Sequence, residues 1–303
     1  MTVERVVRPA GPYSLVLCTR RATDATRSVR DGVLCTTLLV DGGRKVEVAR
    51  AFQRHDGALV LRAESEEGID RLRFVLAVDA DHSEFLRRFR NDPLIGRTTR
   101  ILGGMRQLRM PTVAHTLLRA FCGQLIDSRR ARELEFRIVR GTTGPVGESG
   151  LYAPPTAPDF ARLAPARLRK LGLHARRAAA LVRICRAVDL ERLHELSTDR
   201  AAEWVMAQRG LGPWSAGVVC MEGLGRYEVG IVGDLTLIRL MSALRGRWVE
   251  AHETAELLEP YGEWAGLASV YLAMGSKHGL IPLPDGARLK TPPVRFRTAP
   301  ASA

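Results

Sequence analysis

Asp234 is a lone carboxylate in the apolar run VGIVGDLTLIRLMSAL, and twenty residues before it stands Trp214, in QRGLGPWSAGVV, residues 208–219. In that second stretch a helical pattern breaks at Gly210, Leu211 and Gly212 and resumes at Pro213. Both glycines permit positive φ and close backbone approach, and proline suits the first turn of a helix, where its missing N–H is not needed. The spacing predicts helix, tight hairpin, helix, with free backbone N–H groups aimed outward where the second helix begins. Such a turn holds a phosphate without reading sequence. An ordinary corner between two helices uses the same residues, so both readings stand on the glycines alone. Asp234 also has two readings. A single aspartate before an amphipathic helix is an N-cap; beside a phosphate-gripping hairpin, a carboxylate on an apolar segment sits in a partly desolvated cleft.

The rest of the chain must position these groups. Residues 12–64 carry short Val- and Leu-rich stretches, YSLVLCT, GVLCTTLLV, KVEVARAF and GALVLRAE, punctuated by Gly and Asp; they predict an antiparallel sheet. EEGIDRLRFVLAV and HSEFLRRF follow with helical spacing, giving an α+β domain over residues 1–96. From 97 to 290 the period is helical. PTVAHTLLRAFCGQLIDSRRARELEFRIVRG puts Val113, Leu117, Ala120, Phe121, Leu125, Leu134 and Ile138 on a recurring face, with Gly141 as a stop. Further helical patterns lie near 159–164, 165–170 and 174–188, then in TDRAAEWVMAQ before the hairpin (208–214) and in DLTLIRLMSALRG, AHETAELLEPYG and WAGLASVYLAMGSK after it. Residues 291–303, Pro-rich and basic, read as a disordered tail.

Composition narrows the partners. Forty-six Lys and Arg against 33 Asp and Glu leave a net charge of +13, a field that favours a polyanion, nucleic acid before an anionic membrane surface. No run approaches the roughly 18 uninterrupted apolar residues of a membrane span, and the N-terminus lacks the apolar core of a signal peptide, so a cytoplasmic protein is expected. The five cysteines, Cys18, Cys35, Cys122, Cys185 and Cys220, and the dispersed His115, His174, His194 and His278 make no metal-ligand spacing. They are expected to be reduced thiols and packing imidazoles. There is neither a GxSxG elbow nor a P-loop.

The run Gln208–Leu240 resembles the signature of the helix-hairpin-helix (HhH-GPD) DNA glycosylase superfamily, and within it the DNA-3-methyladenine glycosylase II branch. FCGQLIDSRRARELEFRIV and LRKLGLHARRAAALVRICRAV are similar to that family's core helices, and the β-rich start to its N-terminal domain. The resemblance implies a fold of an α+β N-terminal antiparallel-sheet domain followed by an all-α helix-hairpin-helix glycosylase domain. It implies excision of alkylated purines from double-stranded DNA by a monomer, after extrusion of the nucleotide into a pocket. Asp234 would stabilise the positive charge that develops on the sugar, or orient the attacking water. Gly210, Leu211 and Gly212 would hold phosphate; Leu125 would be the wedge that fills the vacated stack, beside Gln124. Trp214 and Trp264 would wall the base pocket, with Val218 and Leu235 where the family tends to carry further aromatics, and Ala265 where arginine is common. Branches that also cut the backbone carry a Schiff-base lysine where this chain has Trp214, so simple hydrolysis is implied. Hairpin carbonyls near Leu211 would hold a monovalent cation; no other cofactor or metal is implied. A noncatalytic DNA-binding protein, and a glycosylase for oxidised or deaminated bases, are the alternative readings.

Overall fold

The structure is a computed structural model that describes residues 2–20, 22–124 and 126–284. Leu125 and the tail 291–303 therefore lie outside the described residues. Five strands, β1 (Val3–Val7), β2 (Arg27–Arg30), β3 (Val33–Val40), β4 (Lys45–Gln53) and β5 (Leu59–Ala63), form one antiparallel sheet in the order β1-β5-β4-β3-β2. Leu34, Leu38, Ala49, Ala51, Leu59 and Leu61 alternate onto one face and are buried under helix Glu66–Leu76 through Ile69, Leu72 and Leu76. That helix starts at Ser65, whose hydroxyl accepts from Gly68 N, a cap worth about 1 kcal/mol.

Two expectations for this region are corrected. YSLVLCT, read as a strand, folds as helix Leu15–Thr19: Ser14 caps it, Leu15 and Thr19 point inward four residues apart, and Val16 is exposed. Its strand propensity loses to tertiary ties, Ser14 N to Gly104 O and Leu15 N to Gln53 Oε1. The outer strand β1 comes instead from VERVV, which pairs through Arg5 opposite Leu61.

The helices make two further cores. One gathers Val113, Leu117, Phe121, Ile138, Val182, Val205 and Leu211; the other gathers Phe85, Ile95, Val218, Leu237, Leu240, Leu267 and Tyr271. Phe85 and Phe89 thus pack with the C-terminal helices, while Leu108 packs with the sheet core. The pattern from 111 to 141 resolves into helices Val113–Gly123 and Ser128–Thr142, the second capped by Asp127. Gly141 does not stop it: the helix runs one residue further, and a Cβ at 141 would stand 2.7 Å from Leu171, so glycine there permits close helix packing.

A buried ion network joins the sheet to the helices. Arg119 donates to Asp24 (3.2 Å), Glu135 (2.9 Å) and Glu222 (2.9 Å), Asp24 also receives Arg27 (2.8 Å), and His115 Nε2 lies 3.0 Å from Glu135. Burial pushes the carboxyls of Asp24 and Glu135 up, but Arg27 and Arg119 at Asp24, and Arg119 and His115 at Glu135, more than offset it and hold both below the usual carboxylate range. No helix among the described residues is long and apolar enough to cross a membrane. The five cysteines are free thiols.

Candidate active site

Helix Thr198–Met206 and helix Pro213–Val218 flank the hairpin. Gly210 turns the chain with φ +95°, a conformation a side chain rarely adopts, and Leu211 N closes the turn on Gln208 O at 3.0 Å. Gly212 differs from expectation. Its φ of −141° and ψ of −169° are extended, so it is not needed for a left-handed turn. No atom lies within 4 Å of where its Cβ would stand, so its surface is open to a ligand. The Leu211 side chain is buried in the first helical core, which anchors the hairpin and leaves the backbone for contact.

Gln124 ties helix Val113–Gly123 to this turn: its Nε2 donates to Gly210 O at 2.7 Å and approaches the buried Ser215 Oγ at 3.5 Å. One residue earlier, a Cβ on Gly123 would stand 2.6 Å from the Trp214 ring. The indole therefore seats directly against the backbone of the neighbouring helix, and a side chain at 123 would have to displace it.

Asp234 turns out to be both a cap and a partner of Trp214. Oδ1 accepts from Thr236 N at 2.8 Å, starting helix Leu235–Arg245, and Oδ2 accepts from Trp214 Nε1 at 3.3 Å. Each oxygen has one donor, so the carboxylate plane is fixed while the group stays half-buried. The loop before it is fixed as well. Gly233 N donates to Thr254 Oγ1 (2.7 Å), Ile231 N to Ser269 Oγ (3.2 Å), and Asp234 N to Ile231 O (3.1 Å). A Cβ at Gly217 would lie 2.5 Å from Gly230 O, so the helix after the hairpin presses on this loop backbone to backbone. A charge held in this way needs little reorganisation when a reaction builds the opposite charge beside it.

Gly210, Gln124, Trp214 and Asp234 thus form one connected group. Trp264 packs on the second helical core, its ring 5.9 Å from Phe85, and its buried Nε1 has no partner among the described residues. Val218 is buried in that core and Leu235 is half-buried beside Asp234. Gly123, Ser215, Gly217 and Thr254 were not singled out by sequence reasoning; Gly217 in PWSAGVV and the glycine pair of EVGIVGD were the available signal.

Residues 137–263, which hold the hairpin and Asp234, match the model of the HhH-GPD superfamily of base excision DNA repair proteins. The match spans the middle of the helical part and less than half of the chain. The DNA-3-methyladenine glycosylase of Bacillus subtilis (strain 168) is 26% identical to the chain over 204 residues, 64% of this chain and 67% of that protein. In fold, the sheet and the helical part together resemble the 3-methyladenine DNA-glycosylase from Archaeoglobus fulgidus, with a TM-score of 0.80, 22% identity, and 90% of this chain and 98% of that one covered. They also resemble the Clostridium acetobutylicum 8-oxoguanine glycosylase/lyase in complex with dsDNA containing cytosine opposite to 8-oxoG, with a TM-score of 0.75, 18% identity, and 93% and 99% covered. At such identities these structures share their fold with this chain, and the fold alone does not choose between an alkylated and an oxidised base.

Proposed function

We propose that this chain is a monofunctional DNA glycosylase that hydrolyses the N-glycosidic bond of alkylated purines in double-stranded DNA, acting as a monomer. The observation that carries this reading is the Trp214–Asp234 pair: an indole face and a carboxylate, hydrogen-bonded to each other at 3.3 Å and set one helix away from the hairpin. A purine alkylated on a ring nitrogen carries positive charge, to which the negative π-face of an indole is attractive. When its bond to C1′ breaks, that charge moves to the sugar, where Asp234 would oppose it and orient water for attack.

A Schiff base needs a primary amine, and the chain's four lysines, Lys45, Lys170, Lys277 and Lys290, all fall outside residues 208–240. A monovalent cation on the carbonyls near Leu211 enters this proposal only as an aid to phosphate binding. The Gly210 carbonyl already accepts from Gln124.

Duplexes each carrying 3-methyladenine, 7-methylguanine, hypoxanthine, ethenoadenine or 8-oxoguanine test the assignment when incubated with and without borohydride. Free base from the methylated duplexes and no trapped protein–DNA adduct are expected. A trapped adduct, or release confined to 8-oxoguanine, contradicts it. The seating of the indole supplies a second prediction. Gly123→Ala must push Trp214 off its position, and a displacement of about 1 Å costs on the order of 10²-fold in rate. The variant should retain wild-type circular dichroism and lose base release to that extent; an unchanged rate removes Trp214 from the pocket.

A further inference from the structure

A cavity of about 690 Å³ lies between Arg20, Thr23 and Asp24, which follow the first helix of the N-terminal domain, and helix Ser128–Thr142. Neither Trp214, Asp234 nor Trp264 lines it. Its walls carry five arginines, Arg20, Arg129, Arg132, Arg137 and Arg140, with Phe136 exposed among them. Two carboxylates also face it. Asp24 is already engaged by Arg27 and Arg119, and Glu133 lies 4.0 Å from Arg129. Among the described residues Arg20, Arg132, Arg137 and Arg140 form no ion pair, while Arg140 stacks 5.5 Å over the Phe136 ring. The inward face of the same helix holds Glu135, Ile138 and Val139 in the interior, while on its outward side Arg132 donates to Ser128 O, Arg137 donates to Leu171 O and Arg140 lies over the Tyr152 ring.

We infer that this cleft is a second, sequence-independent DNA site, which takes the sugar–phosphate backbone of the bound duplex beyond the segment gripped by the hairpin. The inference rests on the proposed function only in taking the hairpin as the primary DNA contact. The placement favours one continuous track: Ser128 begins its helix four residues after Gln124, whose side chain holds Gly210. From Arg129 to Arg140 the helix advances about 16 Å at roughly 1.5 Å per residue. That covers about five base pairs at roughly 3.4 Å each, enough for several phosphates. A row of guanidiniums without carboxylate partners binds phosphate through charge and bidentate hydrogen bonds, which position DNA without reading bases.

The test compares wild type with Arg20→Gln/Arg132→Gln/Arg137→Gln on a duplex too short to leave the hairpin, about 10 base pairs, and on one about three times longer. Binding is followed by fluorescence anisotropy over a salt series. On the long duplex, log Kd against log salt should flatten in the variant by about two to three, near 0.9 per lost phosphate contact. On the short duplex the two proteins should bind alike and, under single turnover, release base alike. Equal slopes on both duplexes overturn the inference. Hydroxyl-radical footprinting of the wild-type protein on the long duplex provides a readout free of any folding change: protection is expected to run about five base pairs past the hairpin segment, and protection confined to that segment counts against the cleft. If wild type releases no base yet shows the longer footprint, the glycosylase assignment fails while the second DNA site stands.

Discussion

Asp234→Asn is expected to slow single-turnover base release by on the order of 10²–10³-fold, the loss typical when one preorganised electrostatic contact to a charged transition state is removed. The change is nearly isosteric. An asparagine oxygen still caps Thr236 N, since Asn and Asp are equivalent N-caps, so the melting temperature and the Kd for DNA should scarcely move. A large fall in stability would show instead that Asp234 serves the helix start more than the chemistry. With that oxygen on Thr236 N, the amide NH2 faces Trp214 Nε1, so the indole loses its acceptor together with the charge. Gly123→Ala displaces the same indole sterically but leaves the carboxylate charge in place, so a smaller loss there than in Asp234→Asn measures the share of the charge.

The second large effect concerns stability. Arg119→Met should destabilise the protein by about 3–5 kcal/mol, because it leaves the interior carboxylates of Glu135, Glu222 and Asp24 without their shared cation. Thermal unfolding of the variant would show this as a large drop in Tm; a drop of a degree or two would mean the network is dispensable. The pH dependence follows from the same geometry. Asp24 and Glu135 have folded values below those of the unfolded chain, so their contribution is full above about pH 4, where unfolded carboxylates ionise. It is lost progressively as the pH falls further, through the folded values. Wild type should therefore resist acid down to about pH 4 and then lose stability steeply, whereas the variant should show a shallower acid limb.

Much of this arrangement is legible in the residues. Gly210, Pro213 and the spacing to Asp234 carry the hairpin because a left-handed turn and a helix start each demand a particular residue type. Helix Glu66–Leu76 is readable from its cap and apolar period. The segment YSLVLCT is not, because it is a short apolar run whose fate depends on Gln53 and Gly104, residues distant in sequence. β1 was hidden for the same reason: its residues are mostly exposed, and only pairing with β5 makes them a strand. At the site, the two readings of Asp234 looked exclusive in sequence, yet a carboxylate has two oxygens: one caps the helix and the other meets Trp214 beside the hairpin. The seat of Trp214 on Gly123 and the backbone contact of Gly217 with Gly230 were beyond reach, because a glycine in sequence does not say which atoms will approach it. The arginines of helix Ser128–Thr142 read as a solvated face; their grouping into a cleft depends on Arg20, more than a hundred residues earlier.

The most direct test is to mix excess wild-type protein with a duplex carrying a single 3-methyladenine and to follow both products. Free 3-methyladenine should appear together with an unbroken strand that cleaves only after alkali treatment. Tight binding of that duplex with the modified base still attached after many hours would contradict the account, whatever the hairpin holds.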